Sequence, residues 1–392
     1  MSHATPPLVE NLHRLGTETA FTVLARAHAL AREGHDVINL GIGQPDFKTP
    51  PHVVEAAIKA LRDGHHGYTD SKGILELREA VARMLNTRYK TTVPVDQVLI
   101  TPGGKVAMWF AINALGDQGG EILYPNPAFP IYESAIHYSG AKAVPYTLKE
   151  ETGFAFDAQD ILNKITDKTR LIIVNSPANP TGGVVPRPVI DALVAGLADR
   201  PDIFVLSDEI YSRILYDGRE HVSLLTYPEL QDRLILLEGW SKTYAMTGWR
   251  LGFSVWPTAM IEPLNRLAIN IYSCTNAAAQ YGALAALEGP QDFVDEMCRA
   301  FDERRRIIVA GLNELPGVSC VDPGGAFYAF ANITGTGKTA QALQSEMLEK
   351  AYIATIAGTS FGAFGEGYLR FSYAASSQDI EKALARLGDL LA

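Results

Sequence analysis

Along the first three-quarters of the chain, apolar residues alternate between helical spacing and short continuous runs. In PHVVEAAIKALRDG the apolar residues within 53–61 share one face of a helix, which Gly64 ends, and ILELREAVARML repeats this spacing. Further helices are predicted over 105–115 and 186–199. Runs rich in Ile, Leu and Val are predicted to be buried strands: QVLI (97–100), EILY (121–124), RLIIVN (170–175), IFVLS (203–207) and RLILLEG (233–239). Such runs between helices are typical of an α/β fold whose largely parallel sheet is covered on both faces.

The pattern changes after about residue 290. A long charged helix is predicted over DFVDEMCRAFDERRRIIVAGLNEL, followed by short strands at GAFYAF and YLRFSYA and a final helix over 378–391. Strands mixed with long helices indicate a smaller α+β domain. We therefore expect a large domain over 46–285 and a small C-terminal domain over 286–392. The N-terminal segment 1–45, with the helix AFTVLARAHALAREG, is expected to pack with the small domain.

Composition and charge indicate a globular protein that binds neither nucleic acid nor membrane. The chain has 392 residues, 47% of them hydrophobic, and a formal net charge of −10 without a basic cluster. Its three cysteines are widely spaced, which suits a reducing compartment better than a disulfide framework. No apolar run approaches the roughly 20 residues of a membrane span, and the N-terminus lacks the apolar segment of a signal peptide. We expect a cytoplasmic location.

Several predicted strands end in polar loops rich in glycine or proline. These loops are TPGGK, YPNPAFP, NSPANPTGG and SDEIYS. In open α/β sheets, ligands bind beyond the carboxyl ends of the strands. The four loops are therefore expected to converge on one crevice.

Lys242 and Arg250 lie in the segment GWSKTYAMTGWRLG (239–252), which has no carboxylate between them. A lysine amine becomes nucleophilic when it is desolvated or lies near another cation, because both lower its pKa. Lys242 follows a predicted strand and should project into the crevice, where it would react with an aldehyde while Arg250 binds a phosphate. A lysine considered alone is more often a surface residue, so the assignment depends on the neighbouring loops.

Asp208 and Tyr211 belong to the loop SDEIYS. A buried carboxylate at the end of a strand needs a cationic partner, and a protonated pyridine nitrogen would be one. Tyr211 could donate a hydrogen bond to a phenolate oxygen on the same ring. The alternative is an aspartate that caps the turn.

The other three loops offer an anion site and contacts to a ring. TPGGK presents backbone N–H groups at a helix N-terminus, and with Arg250 it would bind a phosphate. Phe129 could stack on an aromatic ring. NSPANPTGG directs the amide of Asn179 from a rigid turn in which X-Pro bonds can be cis. Each feature has an alternative interpretation. TPGGK would be an ordinary strand–helix connection, Phe129 a core residue and NSPANPTGG a purely structural turn.

Six segments, in this order, resemble the class I/II aminotransferases of pyridoxal phosphate (PLP) fold type I, and the resemblance covers nearly the whole chain. The segments are GIGQPDFKTP, GYTDSKG, NSPANPTGG, SDEIY, SKTYAMTGWRLG and LRFSYA. The resemblance implies a large PLP-binding domain with a mostly parallel seven-stranded sheet between helices. It also implies a ping-pong transamination between amino acids and 2-oxo acids, in a homodimer with shared active sites.

The resemblance further implies how the ring of the cofactor would be held. Lys242 would be the Schiff-base lysine and would also move the proton of the substrate Cα. Asp208 would keep the pyridine nitrogen protonated. Tyr211 and Asn179 would bind the 3-oxygen of the ring, and Phe129 would stack on its face.

Two anion-binding sets complete the implied site. The phosphate would be bound by Gly103, Gly104, the backbone of Lys105, Arg250 and, from the second subunit, Tyr68. Arg370 would clamp the substrate α-carboxylate, helped by Asn179 and the backbone of Gly43, because planar carboxylate recognition suits arginine. One position departs from the family: Gly239 stands where many members have a serine that contacts the phosphate. Ser241 is the candidate to replace that contact.

Lys105 and Glu18 bear on the choice of substrate. Where the phosphate loop reads GGK, the chain resembles the bacterial aspartate aminotransferase branch, in which this lysine recognises the distal carboxylate of the substrate. Aspartate or glutamate is therefore the predicted donor. Glu18, in a segment that resembles the lid, could instead repel a second carboxylate or favour a basic or neutral amino acid. Trp109, Tyr244 and Trp249 could suit an aromatic substrate or simply pack in the core.

Two other functions stay open on the same residues. One is another PLP reaction, such as β-elimination or a cyclase-type elimination. The other is a ligand sensor without enzymatic activity, for which no basic DNA-binding segment precedes residue 20.

One motif resembles a nucleotide site without meeting its requirements. NITGTGKTAQAL (332–343) has Asn332 where a Walker A loop requires glycine. A helix that starts near Thr339 is expected instead. The nine histidines show no metal-ligand spacing, so no metal is expected.

Overall fold

Helices and strands alternate along most of the chain in the computed structural model, which describes residues 8–392. The α-helices of this range are α1 (Glu10–His13), α2 (Thr19–Arg32), α3 (Pro51–Arg62), α4 (Leu75–Tyr89), α5 (Gly104–Leu115), α6 (Ile131–Ser139), α7 (Ala158–Asn163), α8 (Arg187–Gly196), α9 (Trp240–Thr243), α10 (Thr258–Tyr272), α11 (Ala277–Glu288), α12 (Asp292–Glu314), α13 (Ala340–Lys350) and α14 (Ser377–Leu391). The strands are β1 (Ile38–Asn39), β2 (Val98–Thr101), β3 (Glu121–Asn126), β4 (Lys142–Thr147), β5 (Thr169–Asn175), β6 (Phe204–Asp208), β7 (Leu234–Gly239), β8 (Gly252–Val255), β9 (Tyr328–Asn332), β10 (Ile353–Ala354), β11 (Ile356–Ala357) and β12 (Tyr368–Ser372).

The largest sheet has seven strands in the order β2-β8-β7-β6-β5-β3-β4. The strand pairs from β7 to β4 are parallel, whereas β8 runs antiparallel to both β7 and β2. Every residue of β2, β3, β7 and β8 is buried. The predicted α/β fold with a mostly parallel seven-stranded sheet is confirmed.

Two strands of this sheet, β4 and β8, have no counterpart among the predicted strands. β4 reads KAVPYT and lies at the edge of the sheet, where most of its residues are only partly buried or exposed. β8 reads GFSV. Neither contains the continuous run of Ile, Leu and Val that predicts a buried strand.

Helices cover both faces of the sheet. Alternate residues of a strand point to opposite faces, and the residues on both faces are apolar and need to be buried. On β5, Leu171 and Ile173 pack with α5, α6 and α10. Ile172 and Val174 pack on the other face with α7 and α8. The helices α3, α4 and α11 extend that second layer over β2, β7 and β8. The sheet therefore lies between two layers of helices. The ends of its strands are not covered by these layers.

The C-terminal part of the chain has a core of its own. Its three-stranded antiparallel sheet has the order β11-β12-β9, and α12, α13 and α14 pack on it through buried residues such as Phe301, Leu343 and Ile380. The N-terminal segment contacts this part, since β1 pairs with β10. Arg26 on α2 also forms an ion pair of 2.6 Å with Glu349 on α13. The domain boundaries at residues 45 and 285 stay a prediction.

The segment that resembles a Walker A loop has an ordinary structural role. It comprises the end of β9, a turn and the start of α13. Thr339 is the N-cap of α13, and its Oγ1 accepts a hydrogen bond of 3.2 Å from the N–H of Ala342. The helix start predicted near Thr339 is confirmed.

Candidate active site

A cavity of about 560 Å³ lies at the carboxyl ends of β5, β6 and β7. All four of the polar loops expected to converge contribute to its wall, as does the segment after β7. The predicted site residues that line it are Gly43, Gly104, Lys105, Phe129, Asn179, Asp208, Tyr211, Lys242, Arg250 and Arg370. Glu18 and Ser241 line it as well. The structure therefore brings together residues that are up to about 350 positions apart in the sequence, as packing of a parallel sheet with helices does.

Lys242 reaches the cavity because β7 passes directly into the short helix α9. Burial lowers the pKa of its amine from 10.5 to about 8, and the nearby cations Arg370 and Arg250 act in the same direction. Its Nζ donates a hydrogen bond of 2.6 Å to the carbonyl oxygen of Gly43. An amine with such a pKa is partly neutral near pH 8, and the neutral form is the nucleophile. Lys242 is therefore suited to carbonyl chemistry.

Asp208 is the last residue of β6, and its carboxylate lies buried in the cavity wall. The phenol of Tyr132 donates to Oδ2 at 2.6 Å, and the N–H of Ile210 donates to Oδ1 at 3.2 Å. Burial nevertheless raises the pKa of Asp208 to about 6. A carboxylate whose pKa is raised by burial is stabilised by a cation placed against it. A protonated pyridine nitrogen meets that requirement.

Asn175, at the end of β5, holds two predicted site residues in place. Its Nδ2 donates to the carbonyl oxygen of Asp208 at 3.0 Å, and its Oδ1 accepts from the N–H of Asn179 at 3.0 Å. The Ser176–Pro177 and Asn179–Pro180 peptide bonds in the same loop are cis. The sequence interpretation missed Asn175, although it is the first residue of the loop NSPANPTGG and directly follows an apolar run.

Arg370, on β12, is held by four groups. Its Nη1 donates to Oδ1 of Asn179 at 2.9 Å, and its Nη2 donates to the carbonyl oxygen of Gly41 at 2.5 Å. Its Cζ lies 4.5 Å from the ring centroid of Tyr328 and 4.6 Å from that of Phe361. Burial lowers the pKa of Arg370, and its Nε is buried without a hydrogen-bond partner among residues 8–392. A guanidinium fixed between two rings with a donor unpaired is prepared for an anion.

Tyr211 and Tyr328 face each other beside this arginine. Their hydroxyl oxygens are 2.7 Å apart, and burial raises the pKa of Tyr211 well above its usual value. A Cβ on Gly43 would lie 2.3 Å from the hydroxyl oxygen of Tyr328, so only glycine fits there. Sequence reasoning missed Tyr328, because nothing in GAFYAF indicates that its ring reaches the cavity.

The start of α5 and Arg250 form a close-fitting cradle. Gly103 has a φ of 87° and is the N-cap of α5. A Cβ there would lie 2.4 Å from Nη2 of Arg250, and a Cβ on Gly252 would lie 2.4 Å from the backbone N of Gly104. No side chain separates the backbone N–H groups at the start of α5 from the guanidinium of Arg250. Together these donors can bind a phosphate. Gly103 itself is not among the residues that line the cavity, but it contacts Arg250, which is.

Lys105 and Phe129 lie near each other in the cavity wall. The Nζ of Lys105 donates to Oε1 of Glu18 at 3.0 Å and lies 5.4 Å from the ring centroid of Phe129. Lys105 therefore has a carboxylate partner within the chain, which the sequence did not predict.

The three aromatic residues proposed as possible substrate contacts pack elsewhere. Trp109 stacks obliquely on Tyr138, with ring centroids 4.9 Å apart. The hydroxyl of buried Tyr244 donates to Gln291, and the indole N–H of Trp249 donates to Thr49. None of the three lines the cavity.

Gly239 stands at the junction of β7 and α9, where a side chain would meet backbone. A Cβ there would lie 2.9 Å from Cα of Gly252 and 3.2 Å from the carbonyl oxygen of Leu251. This close approach explains why a serine is absent from the position. The side chain of Ser241, two residues on, belongs to the cavity wall.

Tyr68 is a predicted site residue that does not line the cavity of its own chain. The residue is 91% exposed. A contact between Tyr68 and the phosphate cradle would have to come from another subunit.

Within residues 8–392, no group of three or more His, Cys, Asp and Glu side chains is placed to hold a metal ion. In the same range, no helix combines the length and the apolar character that crossing a bilayer requires.

The residues present fit PLP. Glycines let Arg250 and the start of α5 approach each other, the buried carboxylate of Asp208 suits a ring cation, and Lys242 offers an amine for an aldehyde. A fold of this topology with these groups at the ends of its strands defines a PLP enzyme of fold type I.

Comparisons with known proteins identify the family. The model of the family "Aminotransferase class I and II" matches residues 35–387. An aspartate aminotransferase of Pyrococcus horikoshii is 38% identical over 359 residues, which are 91% of this chain and 91% of that protein. The solved structure of the aspartate aminotransferase from Rhizobium meliloti has a TM-score of 0.94 at 32% identity and covers 98% of each chain. That of an aromatic aminotransferase from Pyrococcus horikoshii OT3 has a TM-score of 0.88 at 36% identity, and the match covers 94% of this chain and 98% of that one.

The chain therefore belongs to the class I and II aminotransferases. It is an amino-acid transaminase that depends on PLP, as the sequence resemblance implies.

Proposed function

We propose that the enzyme moves the amino group of an L-amino acid, preferentially aspartate or glutamate, to a 2-oxo acid by a ping-pong mechanism. The observation that carries the proposal is that two cations, Arg370 and Lys105, line the cavity that also contains Lys242. A dicarboxylic substrate has two anionic groups for these two cations. The names of similar proteins support amino-acid substrates and include both aspartate and aromatic aminotransferases.

PLP, when bound, supplies an aldehyde for amines and a ring that takes up the negative charge left on the substrate Cα. The chain's share is to position both molecules and to place charge around them. Asp208 would face the ring nitrogen, Tyr211 and Asn179 the 3-oxygen, and Phe129 one face of the ring. The residues proposed to hold the phosphate are Gly103, Gly104, Lys105 through its backbone, Arg250, Ser241 in place of the contact missing at Gly239, and Tyr68 from a second subunit.

Lys242 is proposed to move the proton of the substrate Cα. With a pKa of about 8, its Nζ can accept a proton and return it close to neutral pH. The carbonyl oxygen of Gly43 accepts a hydrogen bond from the amine at 2.6 Å and so orients it. Arg370 and Arg250 disfavour the ammonium form, which assists release of the proton.

Arg370 is proposed to hold the α-carboxylate of both substrates. Its guanidinium is already fixed by Asn179 and Gly41, so little freedom is lost on binding. The buried Nε without a partner would gain one in a bound carboxylate. Because donor and acceptor use this same arginine in one cavity, the first product has to leave before the second substrate binds.

The proposed role of Tyr68 requires a homodimer with shared active sites. Its exposed side chain does not line the cavity of its own chain. A cytoplasmic location is proposed because all three cysteines are free thiols. The division into a segment 1–45, a large domain 46–285 and a small domain 286–392 is part of the same proposal.

A panel of amino donors and 2-oxo acceptors tests the reaction. The expected result is one 2-oxo acid formed per amino group transferred, without release of ammonia. Stoichiometric ammonia from the donor would instead indicate an elimination reaction and would contradict the proposal.

The variant Lys105→Ala tests the substrate preference. We expect kcat/KM to fall by roughly tenfold or more for aspartate and glutamate and to change little for alanine. The matched control is Lys350→Ala, which removes an exposed lysine at the end of α13. An equal fall for all donors would show that Lys105 does not read the distal carboxylate.

A further inference from the structure

Glu18 and Lys105 form an ion pair in the wall of the active-site cavity. The Oε1 of Glu18 lies 3.0 Å from Nζ of Lys105, and both residues line the cavity. The side chain of Glu18 is 13% exposed and that of Lys105 is 43% exposed. The partners come from different elements, since Glu18 precedes α2 and Lys105 lies in the first turn of α5. The pair is therefore a product of the tertiary fold.

The pair cancels the charge of the space left for the substrate side chain. Six charged side chains line the cavity, and four of them have proposed partners in PLP or in the substrate α-carboxylate. The two that remain are Glu18 and Lys105. With Glu18 in place, the wall that would receive the end of the substrate has no net charge.

Apolar side chains line the same cavity as this ion pair. The ammonium of Lys105 lies 5.4 Å from the ring centroid of Phe129, and Phe21, Met108 and Phe361 line the same cavity. A large uncharged side chain would find apolar contacts there. If Glu18 were absent, such a substrate side chain would leave Lys105 without a counter-charge. An unpaired ammonium beside an apolar group is unfavourable.

Glu18 has a second place for its carboxylate. It is the N-cap residue of the 14-residue helix α2, yet its side chain makes no capping hydrogen bond. The N–H groups of the first turn and the positive end of the helix dipole stabilise a carboxylate at this position. A carboxylate displaced from Lys105 therefore stays close to a favourable site.

We propose that Glu18 is a specificity-determining residue that competes with the substrate for Lys105, so that the enzyme accepts two classes of amino donor. This inference rests on the proposed transamination and on the proposed role of Lys105. A dicarboxylic donor replaces Glu18 on Lys105, and Glu18 turns to the start of α2. A donor with a large uncharged side chain leaves the Glu18–Lys105 pair intact and packs against it.

Glu18→Gln tests the competition, because it keeps the size of the side chain and removes its charge. We expect kcat/KM for aspartate to rise about tenfold and kcat/KM for phenylalanine to fall about tenfold, since Lys105 loses its internal partner. The control is Glu33→Gln, the same change at the exposed far end of α2, which should alter neither value. Equal effects on both donors, or none, would overturn the proposal.

Binding of unreactive analogues separates this proposal from the proposed reaction. With the PLP-loaded enzyme, calorimetry should show that Glu18→Gln binds maleate more tightly and 3-phenylpropionate more weakly than the unchanged enzyme. If no donor is turned over, the proposed reaction fails while these two affinities still decide the role of Glu18. Unchanged affinities would contradict it.

A second variant covers the case in which Glu18→Gln does not fold. Glu18→Asp keeps the charge but shortens the reach to Lys105 by one methylene group. It should shift the aspartate-to-phenylalanine ratio in the same direction by a smaller factor. A shift in the opposite direction would overturn the proposal.

Discussion

Single residues in the cavity carry charges that the chain itself leaves poorly compensated. Burial raises the pKa of Asp208 to about 6 and lowers that of Lys242 to about 8. Arg370 has a buried Nε without a partner in the part of the chain that the structure describes. Such groups cost stability in the free protein, and Asp208 and Arg370 become favourable when a ligand of opposite charge binds. Each of them therefore predicts a measurable effect.

Asp208→Asn should stabilise the PLP-free protein and should abolish most of the activity of the PLP-loaded enzyme. The folded pKa of Asp208 lies above its ordinary 3.8. The folded state therefore holds more protons between about pH 4 and 6, and stability falls as pH rises through this window. At pH 7 the variant should be more stable by on the order of 1–3 kcal/mol in urea unfolding, with little difference at pH 4. Turnover with PLP should fall at least about a hundredfold.

The stability gain is the diagnostic part of that prediction. If Asp208→Asn were less stable than the unchanged protein at pH 7, the buried charge of Asp208 would not be destabilising. Exposed Asp63, in the ion pair with Lys59, provides a control substitution that should show no such gain.

Arg370→Met should raise the pKa of Lys242. Arg370 is one of the two cations that lower it, after burial. In the PLP-free protein, the rate of amine labelling at Lys242, followed by mass spectrometry against pH, should have its midpoint near 8. In the variant the midpoint should move towards 10.5, the ordinary value. An unchanged midpoint would show that Arg370 does not act on Lys242.

At the level of helices and strands, the sequence predicts what depends on local pattern. The apolar runs that became β5, β6 and β7 are visible in the sequence, as is the glycine-rich start of α5. Tyr132 is different, because its bond to Asp208 spans 76 residues and depends on how α6 packs on the sheet. Tyr328 reaches Tyr211 across 117 residues for the same reason. Glu18 was recognised as relevant, but its pairing with Lys105 required the structure.

The junction of β7 and α9 gives a prediction at this scale. Gly239→Ser, which introduces the residue that many family members carry, should destabilise the protein by about 1–3 kcal/mol, because its Cβ would lie 2.9 Å from Cα of Gly252. It should not tighten PLP binding. Ser241→Ala, in contrast, should weaken PLP binding while leaving urea stability nearly unchanged. Tighter PLP binding by Gly239→Ser would contradict the account of this junction.

The whole molecule joins two cores around one cavity. Strand β6 of the large sheet supplies Asp208, the helix α9 that follows β7 supplies Lys242, and the C-terminal part supplies Arg370 and Tyr328. The segment before residue 45 contributes Glu18 and Gly43 and pairs with β10. These long-range relations leave no local pattern in the sequence, so the family resemblance was needed to place them together. The proposed contact of Tyr68 would come from a second subunit.

Mixed dimers test the shared site. Lys242→Ala and Tyr68→Ala are each expected to impair activity, since each removes one contribution to a site. After the two variants are unfolded together and refolded at equal amounts, half of the dimers should be hybrids with one intact site. Activity should then reach about a quarter of that of the unchanged enzyme. Activity equal to the average of the two separate variants would show that Tyr68 serves no neighbouring subunit.

Reductive trapping of PLP identifies the lysine that forms the Schiff base. The protein is incubated with PLP, treated with borohydride and digested, and the modified peptide is identified by mass spectrometry. We expect one adduct per chain, on Lys242, and none on Lys105, the other lysine that lines the cavity. Lys242→Ala should show no adduct. An adduct at another lysine, or normal turnover by Lys242→Ala, would contradict the assignment.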